Sequence, residues 1–131
     1  MTPIPDPDTV REFVIAAHAD VERVRSMLAE QPELLDAAHP WQPGDTESAI
    51  QAAAHVGNRP IAELLLARGA PLALCTAAML GRADDAERLL AEDPARIDER
   101  GAHGIPLLAH AALSGDGALV AMLHGRGARE G

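Results

Sequence analysis

The chain has 131 residues, of which 47% are apolar but only 2% aromatic, and its formal net charge is −9. A domain of this length buries a modest core, and this composition requires that core to be built mainly from Ala and Leu. The acidic balance argues against nucleic-acid binding, because neutralising phosphates needs clusters of basic side chains. Cys75 is the only cysteine, so neither an internal disulfide nor a cysteine-rich zinc site is available.

The first residues, MTPIPDPD, lack the basic and apolar regions of a signal peptide. No apolar run in the sequence approaches the length that a membrane span requires. We therefore expect a soluble cytoplasmic protein with no membrane and no nucleic-acid partner.

The first pair of short helices is predicted at 9–18 and 20–29. An Ala pair in the first helix and a Met–Leu pair in the second give each helix a side that faces inward. Asp8 or Thr9 is expected to cap the first helix, and Glu12 would complete a capping box with Thr9.

The second pair, at 47–56 and 60–67, follows an extended loop at 36–47 that is rich in Pro and Gly. Gly57 is expected to end the first of these helices, because glycine accepts the left-handed backbone found at helix ends. Pro60 favours the start of the second helix, where its missing N–H costs nothing.

The third pair is predicted at 72–80 and 84–91 and the fourth at 106–114 and 117–125, with an extended loop at 94–105 between them. Between the second and third pairs the chain leaves almost no room for a projecting loop. Each pair is too small to bury a core alone, so the four pairs are expected to stack on one another.

All four pairs share one pattern, in which an Ala pair and a turn residue, usually glycine, precede a pair of large apolar residues. The clearest copies are SAIQAAAHVGNRPIAELLLARGA (48–70) and GIPLLAHAALSGDGALVAMLHGRGA (104–128). This pattern resembles the ankyrin repeat, although the T-P-L-H opening of that family is reduced to SAIQ and PLLA. The resemblance implies one domain, 1–131, folded as an all-α solenoid of about four helix–turn–helix repeats with projecting loops. The expected repeats are approximately 9–35, 46–70, 71–97 and 104–128.

Ankyrin repeats mostly bind other proteins, so the resemblance implies a protein–protein interaction module that uses a concave groove and loop tips. Apolar side chains at the groove positions support this, although packing that closes the groove would explain them too. The acidic charge favours a partner with a basic patch. The predicted partner-binding residues are His18, Trp41, His55, Val56, Met79, Leu80, Leu113 and Ser114.

The six histidines contain no HExxH motif and no pair spaced to lie on one helical turn. The sequence therefore predicts no metal site, no cofactor and no catalytic residue, although His18 and His55 would share one surface in a stacked array. His110 is expected in the core with a backbone partner, and Cys75 as a buried thiol.

Two alternatives to protein binding remain open. The first is a small-molecule or enzymatic site built on groove histidines, which a closed pocket and a perturbed histidine pKa would indicate. The second is a homodimer that buries the apolar strip, which a doubled mass in solution would indicate.

Overall fold

The computed structural model describes residues 4–130 and is mostly helical, with one small two-stranded sheet. The eight predicted helices are confirmed, each within a few residues of its expected bounds. None of the helices in the described range is both long and apolar enough to cross a membrane. The helices are α1 (Pro7–Ala16), α2 (Val21–Glu30), α3 (Ala49–Val56), α4 (Arg59–Ala67), α5 (Leu74–Met79), α6 (Ala83–Glu92), α7 (Leu107–Leu113) and α8 (Gly117–Gly125).

Side-chain caps fix where several helices begin. The cap of α1 is Asp6, whose carboxylate accepts a hydrogen bond from the backbone N–H of Asp8, so the expected cap at Asp8 or Thr9 is wrong. A capping box instead starts α3, where Ser48 and Gln51 each bond to the backbone of the other. Asp20, Asn58 and Asp116 cap α2, α4 and α8 in the simpler way.

The first predicted loop is a β-hairpin. Strands β1 (Ala38–Gln42) and β2 (Asp45–Ser48) pair antiparallel, with an irregular register between Pro40 and Gln42. Strand β2 runs directly into α3, and β1 packs against α1. The hairpin therefore lies beside the helices of the first half of the chain.

The second predicted loop contains short 3-10 helices at Pro94–Asp98 and Ala102–Gly104 and one isolated bridge between Arg100 and Pro106. A further 3-10 helix at Pro32–Asp36 precedes the hairpin. The connection from α4 to α5 is short, as expected.

The buried side chains form two apolar clusters, and the boundary between them corrects one expectation. Met79 and Leu80 were expected to line an open groove, but both are buried, Met79 completely, within the cluster formed mainly by the first half of the chain. These two large side chains fill space between the halves instead of facing solvent. The second cluster lies among α5–α8 and includes Leu74, Leu107 and Leu123.

Candidate functional site: a histidine–carboxylate cluster

Three side chains from separate elements meet at one point beside the hairpin. His18 follows the end of α1, Glu47 lies in β2, and His55 lies in the last turn of α3. Three contacts fix the backbone there: α1 packs on both β1 and α3, and the Asn58 side chain donates to the His18 carbonyl at 3.3 Å. The fold thus brings together two histidines that are 37 residues apart.

The ligand atoms of the three groups all lie within 4.8 Å of one another. The Nε2 atoms of His18 and His55 are 3.3 Å apart, and they lie 3.6 Å and 2.8 Å from Oε2 of Glu47. Zinc binds nitrogen at about 2.0–2.1 Å in a tetrahedral arrangement, which separates neighbouring ligand atoms by about 3.3 Å. The spacing of these three atoms therefore matches that of ligands around one metal ion.

Glu47 is fully buried, yet only one of its oxygens is satisfied by a hydrogen bond. Oε1 accepts from the indole N–H of Trp41 at 2.9 Å. Oε2 lies 2.8 Å from Nε2 of His55, a contact that pulls the pKa of that ring upwards, and no donor among the described residues makes a well-aligned hydrogen bond to it. A buried carboxylate oxygen without a partner is costly, and a bound cation would satisfy it.

The surroundings of each imidazole influence which form of the ring is present. Nδ1 of His18 lies 2.9 Å from the carbonyl of Val14, so the neutral ring carries its proton there and exposes the lone pair of Nε2. The pKa of His55 is lowered, chiefly because burial disfavours the charged ring, although the nearby Glu47 carboxylate opposes this. Metal ligation needs neutral imidazole, which the burial of His55 favours.

A third histidine reaches the same carboxylate from the second half of the chain. Nε2 of His103 lies 3.6 Å from Oε1 of Glu47, and its Nδ1 lies 2.8 Å from Oδ2 of Asp45. That hydrogen bond is the main reason that the pKa of His103 is raised and the pKa of Asp45 is lowered. Asp45 and His103 thus form a carboxylate–histidine pair beside the cluster.

The predicted site residues divide into four groups. His18, Trp41 and His55 meet around Glu47, whereas Val56 and Leu113 are exposed. Ser114 has a local structural role, since its hydroxyl donates to the Ala111 carbonyl and accepts from the backbone N–H of Asp116. Met79 and Leu80, being buried, cannot contact a partner in this conformation.

The acidic members of the site, Asp45 and Glu47, were not predicted from the sequence, and His103 was not connected with them. The aligned Ala pairs were the available signal, because His18 and His55 each directly follow an Ala pair in the sequence. No local spacing links His103 to Asp45, which is 58 residues away.

Two other buried groups behave as structural residues. His110 is 1% exposed, and its Nδ1 lies 3.0 Å from the Pro106 carbonyl, as predicted. Burial raises the pKa of the Cys75 thiol, and the neighbouring Glu99 carboxylate adds to the effect, so the thiolate needed of a nucleophile is disfavoured. Glu99 also accepts the backbone N–H of Cys75 at 2.7 Å, which anchors the start of α5.

Neither a scan of protein-family models nor a search of curated proteins finds a match for this chain. The resemblance to ankyrin repeats therefore stays a prediction from the residues quoted above, and the site is interpreted from its own chemistry.

Proposed function

We propose that the protein binds one divalent transition-metal ion through His18, Glu47 and His55. The observation that carries this proposal is the buried Oε2 of Glu47, which has no well-aligned hydrogen bond from any described residue and lies within ligand spacing of two imidazole Nε2 atoms. An ion placed among the three atoms would satisfy the carboxylate and use both nitrogen lone pairs.

The donor set indicates the class of metal. Imidazole nitrogen suits zinc, copper, iron and nickel, whereas magnesium and calcium prefer sites made entirely of oxygen ligands. Zinc is our first choice because it is commonly bound by two histidines and a glutamate at these distances. Trp41 supports the assignment, since its N–H holds the carboxylate in place as outer-shell partners of metal ligands do.

The scaffold that we propose for this site is a stack of ankyrin-like helix pairs. In such an array the ends of successive first helices lie side by side, which would explain why His18 and His55 meet. We also propose a cytoplasmic location, in keeping with a single buried cysteine and no disulfide.

Zinc titration of the metal-free full-length chain tests the proposal. Equilibrium dialysis followed by elemental analysis should give one tightly held zinc ion per chain, and His18→Ala with His55→Ala should abolish it. His124→Ala is the matched control, because it removes an exposed histidine outside the cluster. Retention of zinc by the double variant, or no binding by the wild type, would contradict the proposal.

Protein binding is a second candidate, favoured by two exposed apolar side chains. Val56 is 42% exposed and Leu113 is 49% exposed. They flank the same glycine, because Val56 precedes Gly57 and a Cβ atom at Gly57 would lie 3.6 Å from the Leu113 side chain. We propose this apolar patch as the contact for a protein partner with a basic surface, given the net charge of −9.

Introducing negative charge into the apolar patch separates partner binding from self-association. Val56→Glu with Leu113→Glu should lose a partner captured by the wild type, whereas Ile4→Glu, at another exposed apolar residue, should retain it. Sedimentation of the same proteins tests the homodimer: a wild-type dimer that the double variant dissociates would identify a second copy as the occupant. Equal capture by all three proteins would exclude this patch.

A further inference from the structure

The segment Ala102–Gly104 brings a third imidazole to Glu47 from the opposite side of the carboxylate. His18 and His55 lie at Oε2, and Nε2 of His103 lies 3.6 Å from Oε1. The ring of His103 also packs edge-on against His55, with 5.3 Å between their centroids. The fully buried carboxylate is therefore approached by imidazoles at both of its oxygens.

The backbone around His103 is held in an unfavourable conformation. His103 has φ +60°, and no other non-glycine residue within 4–130 has a positive φ. Such strain persists only where the surroundings enforce it, and it is concentrated at functional sites. Here Arg100 donates to the Gly104 carbonyl at 2.8 Å, and the Gly101 N–H donates to the Ile105 carbonyl at 2.8 Å.

Asp45 fixes both the backbone and the ring of His103. Its Oδ1 accepts the backbone N–H at 3.1 Å, and its Oδ2 lies 2.8 Å from ring Nδ1. Asp45 also raises the pKa of His103, so a metal ion would have to displace the Nε2 proton of the charged ring; the proton that stays on Nδ1 would then leave the Nε2 lone pair directed towards Glu47. Histidines that bind metals usually donate their other ring N–H to a carboxylate or carbonyl, which fixes the tautomer and strengthens the ligand.

We propose that His103 is the fourth ligand of the metal ion, so that three imidazoles and Glu47 form a closed site of the structural kind. This inference rests on the proposed function, since it concerns the same ion. Sites with four protein ligands are typically structural, whereas catalytic zinc sites keep one position open for water. The bound ion would then tie the 102–104 segment of the second half to α1, β2 and α3 of the first half.

Ligation by His103 requires its ring to move, because its Nε2 lies 3.6 Å from Oε1 of Glu47 and outside the group of three ligand atoms that all lie within 4.8 Å of one another. The movement is feasible since the imidazole is 36% exposed on a short surface segment. Asp45 lies at the hairpin turn and can follow the ring while it keeps the hydrogen bond to Nδ1.

Cobalt is the probe for this inference, because four-coordinate Co²⁺ absorbs visible light much more strongly than six-coordinate Co²⁺. The metal-free full-length wild type is titrated with Co²⁺ beside His103→Asn and Asp45→Asn, and Kd is measured by competition with a chelator. Asparagine is chosen at position 103 because it tolerates the left-handed backbone, and His103→Gly serves as a second variant. His124→Ala is the control.

The wild type and the control should bind one Co²⁺ with an intense four-coordinate spectrum. His103→Asn should lose most of that intensity and weaken binding by about 100-fold, and Asp45→Asn should weaken it by about tenfold, as loss of an outer-shell partner does. Unchanged spectrum and affinity in both position-103 variants would overturn the role of His103 but leave the three-ligand site intact. Absence of Co²⁺ and Zn²⁺ binding by the wild type would overturn both proposals.

Discussion

The two halves of the molecule have nearly the same order of elements but different chemistry at matching positions. Each half has two helices, a 3-10 helix, an extended segment and two further helices. After the Ala pair of the first helix, the first half has His18 and the second half has Met79. Seven residues after the cap of the third helix, the first half has His55 and the second half has Leu113.

The residue that immediately precedes that cap differs in the same way. The first half has the buried Glu47 and the second half has Ile105. The fold of the second half therefore needs neither the carboxylate nor the imidazoles, and apolar residues suffice there. The polar cluster of the first half is therefore not required by the architecture. Its presence in only one half supports a binding role.

The largest predicted effect is a loss of zinc affinity when the two histidines of the first half are replaced by the residues at the matching positions of the second half. His18→Met with His55→Leu should lower zinc affinity by about a thousandfold or more, equivalent to about 4 kcal/mol, because loss of outer-shell partners alone costs about 10–100-fold. The helical circular dichroism should remain, since Met and Leu occupy these positions in the second half. Zinc affinity is measured by calorimetry. Near-normal affinity in this variant would show that His18 and His55 do not bind the ion.

Met79→Ala tests whether the residue that matches His18 in the second half stabilises the fold by packing in the core. Because Met79 is fully buried, its truncation should lower the free energy of unfolding by about 2–5 kcal/mol. Zinc affinity per folded molecule should stay within about threefold. Urea unfolding measures the first quantity, and a loss below about 1 kcal/mol would mean that Met79 is not packed as described.

Glu47→Gln separates the charge of the carboxylate from its shape. Glutamine keeps an acceptor for Trp41, so the metal-free protein should unfold at equal or higher urea concentration, with a gain of up to about 1 kcal/mol from removing a buried charge. Zinc affinity should fall by about 100-fold, since a charged ligand is lost. An undiminished affinity would place the ion elsewhere.

The burial of His110, in the second half, should make the free energy of unfolding depend on pH. Burial lowers the pKa of its folded form below the ordinary value of 6.5, so the unfolded chain binds the proton more readily. The stabilising contribution is therefore present above about pH 6.5 and is lost as pH falls towards the folded pKa, with a slope of up to about 1.4 kcal/mol per pH unit. Urea unfolding from pH 8 to 5 in a chelator should show a weaker slope in His110→Asn than in His124→Asn. Identical slopes would contradict this assignment.

Leu113→Ser should have the smallest effect. The side chain is half-exposed, so the free energy of unfolding should change by about 0.5 kcal/mol or less. Its position matches that of His55, and the contrast with Met79→Ala would show which large apolar residues of the second half support the fold. A loss of about 2 kcal/mol or more in thermal unfolding would instead identify Leu113 as part of the core.

The sequence predicted the helices well because the deciding signals are local. Ala pairs, turn glycines such as Gly57 and periodic leucines determine each helix without knowledge of its neighbours. The β-hairpin was predicted only as an extended loop, since Pro40 and the polar residues around Asp45 resemble a loop. The burial of Met79 was missed for a related reason, because a groove and a closed contact between halves have the same apolar pattern.

The site was predicted only in part because its members are far apart in the chain. The repeat alignment put His18 and His55 on one surface, and the structure confirms that they meet. Glu47 lies in a polar stretch that indicates solvent exposure, and it is buried because β2 packs against β1, α3 and the 102–104 segment. The search for paired histidines on one helix could not detect ligands that three separate elements supply.

A crystal structure of the zinc-loaded full-length chain, with an anomalous difference map at the zinc absorption edge, tests the central claim most directly. We expect one strong peak at about 2.0–2.2 Å from Nε2 of His18, Nε2 of His55 and a carboxylate oxygen of Glu47. An empty cluster in crystals grown with zinc, or a peak held only by other residues, would contradict it.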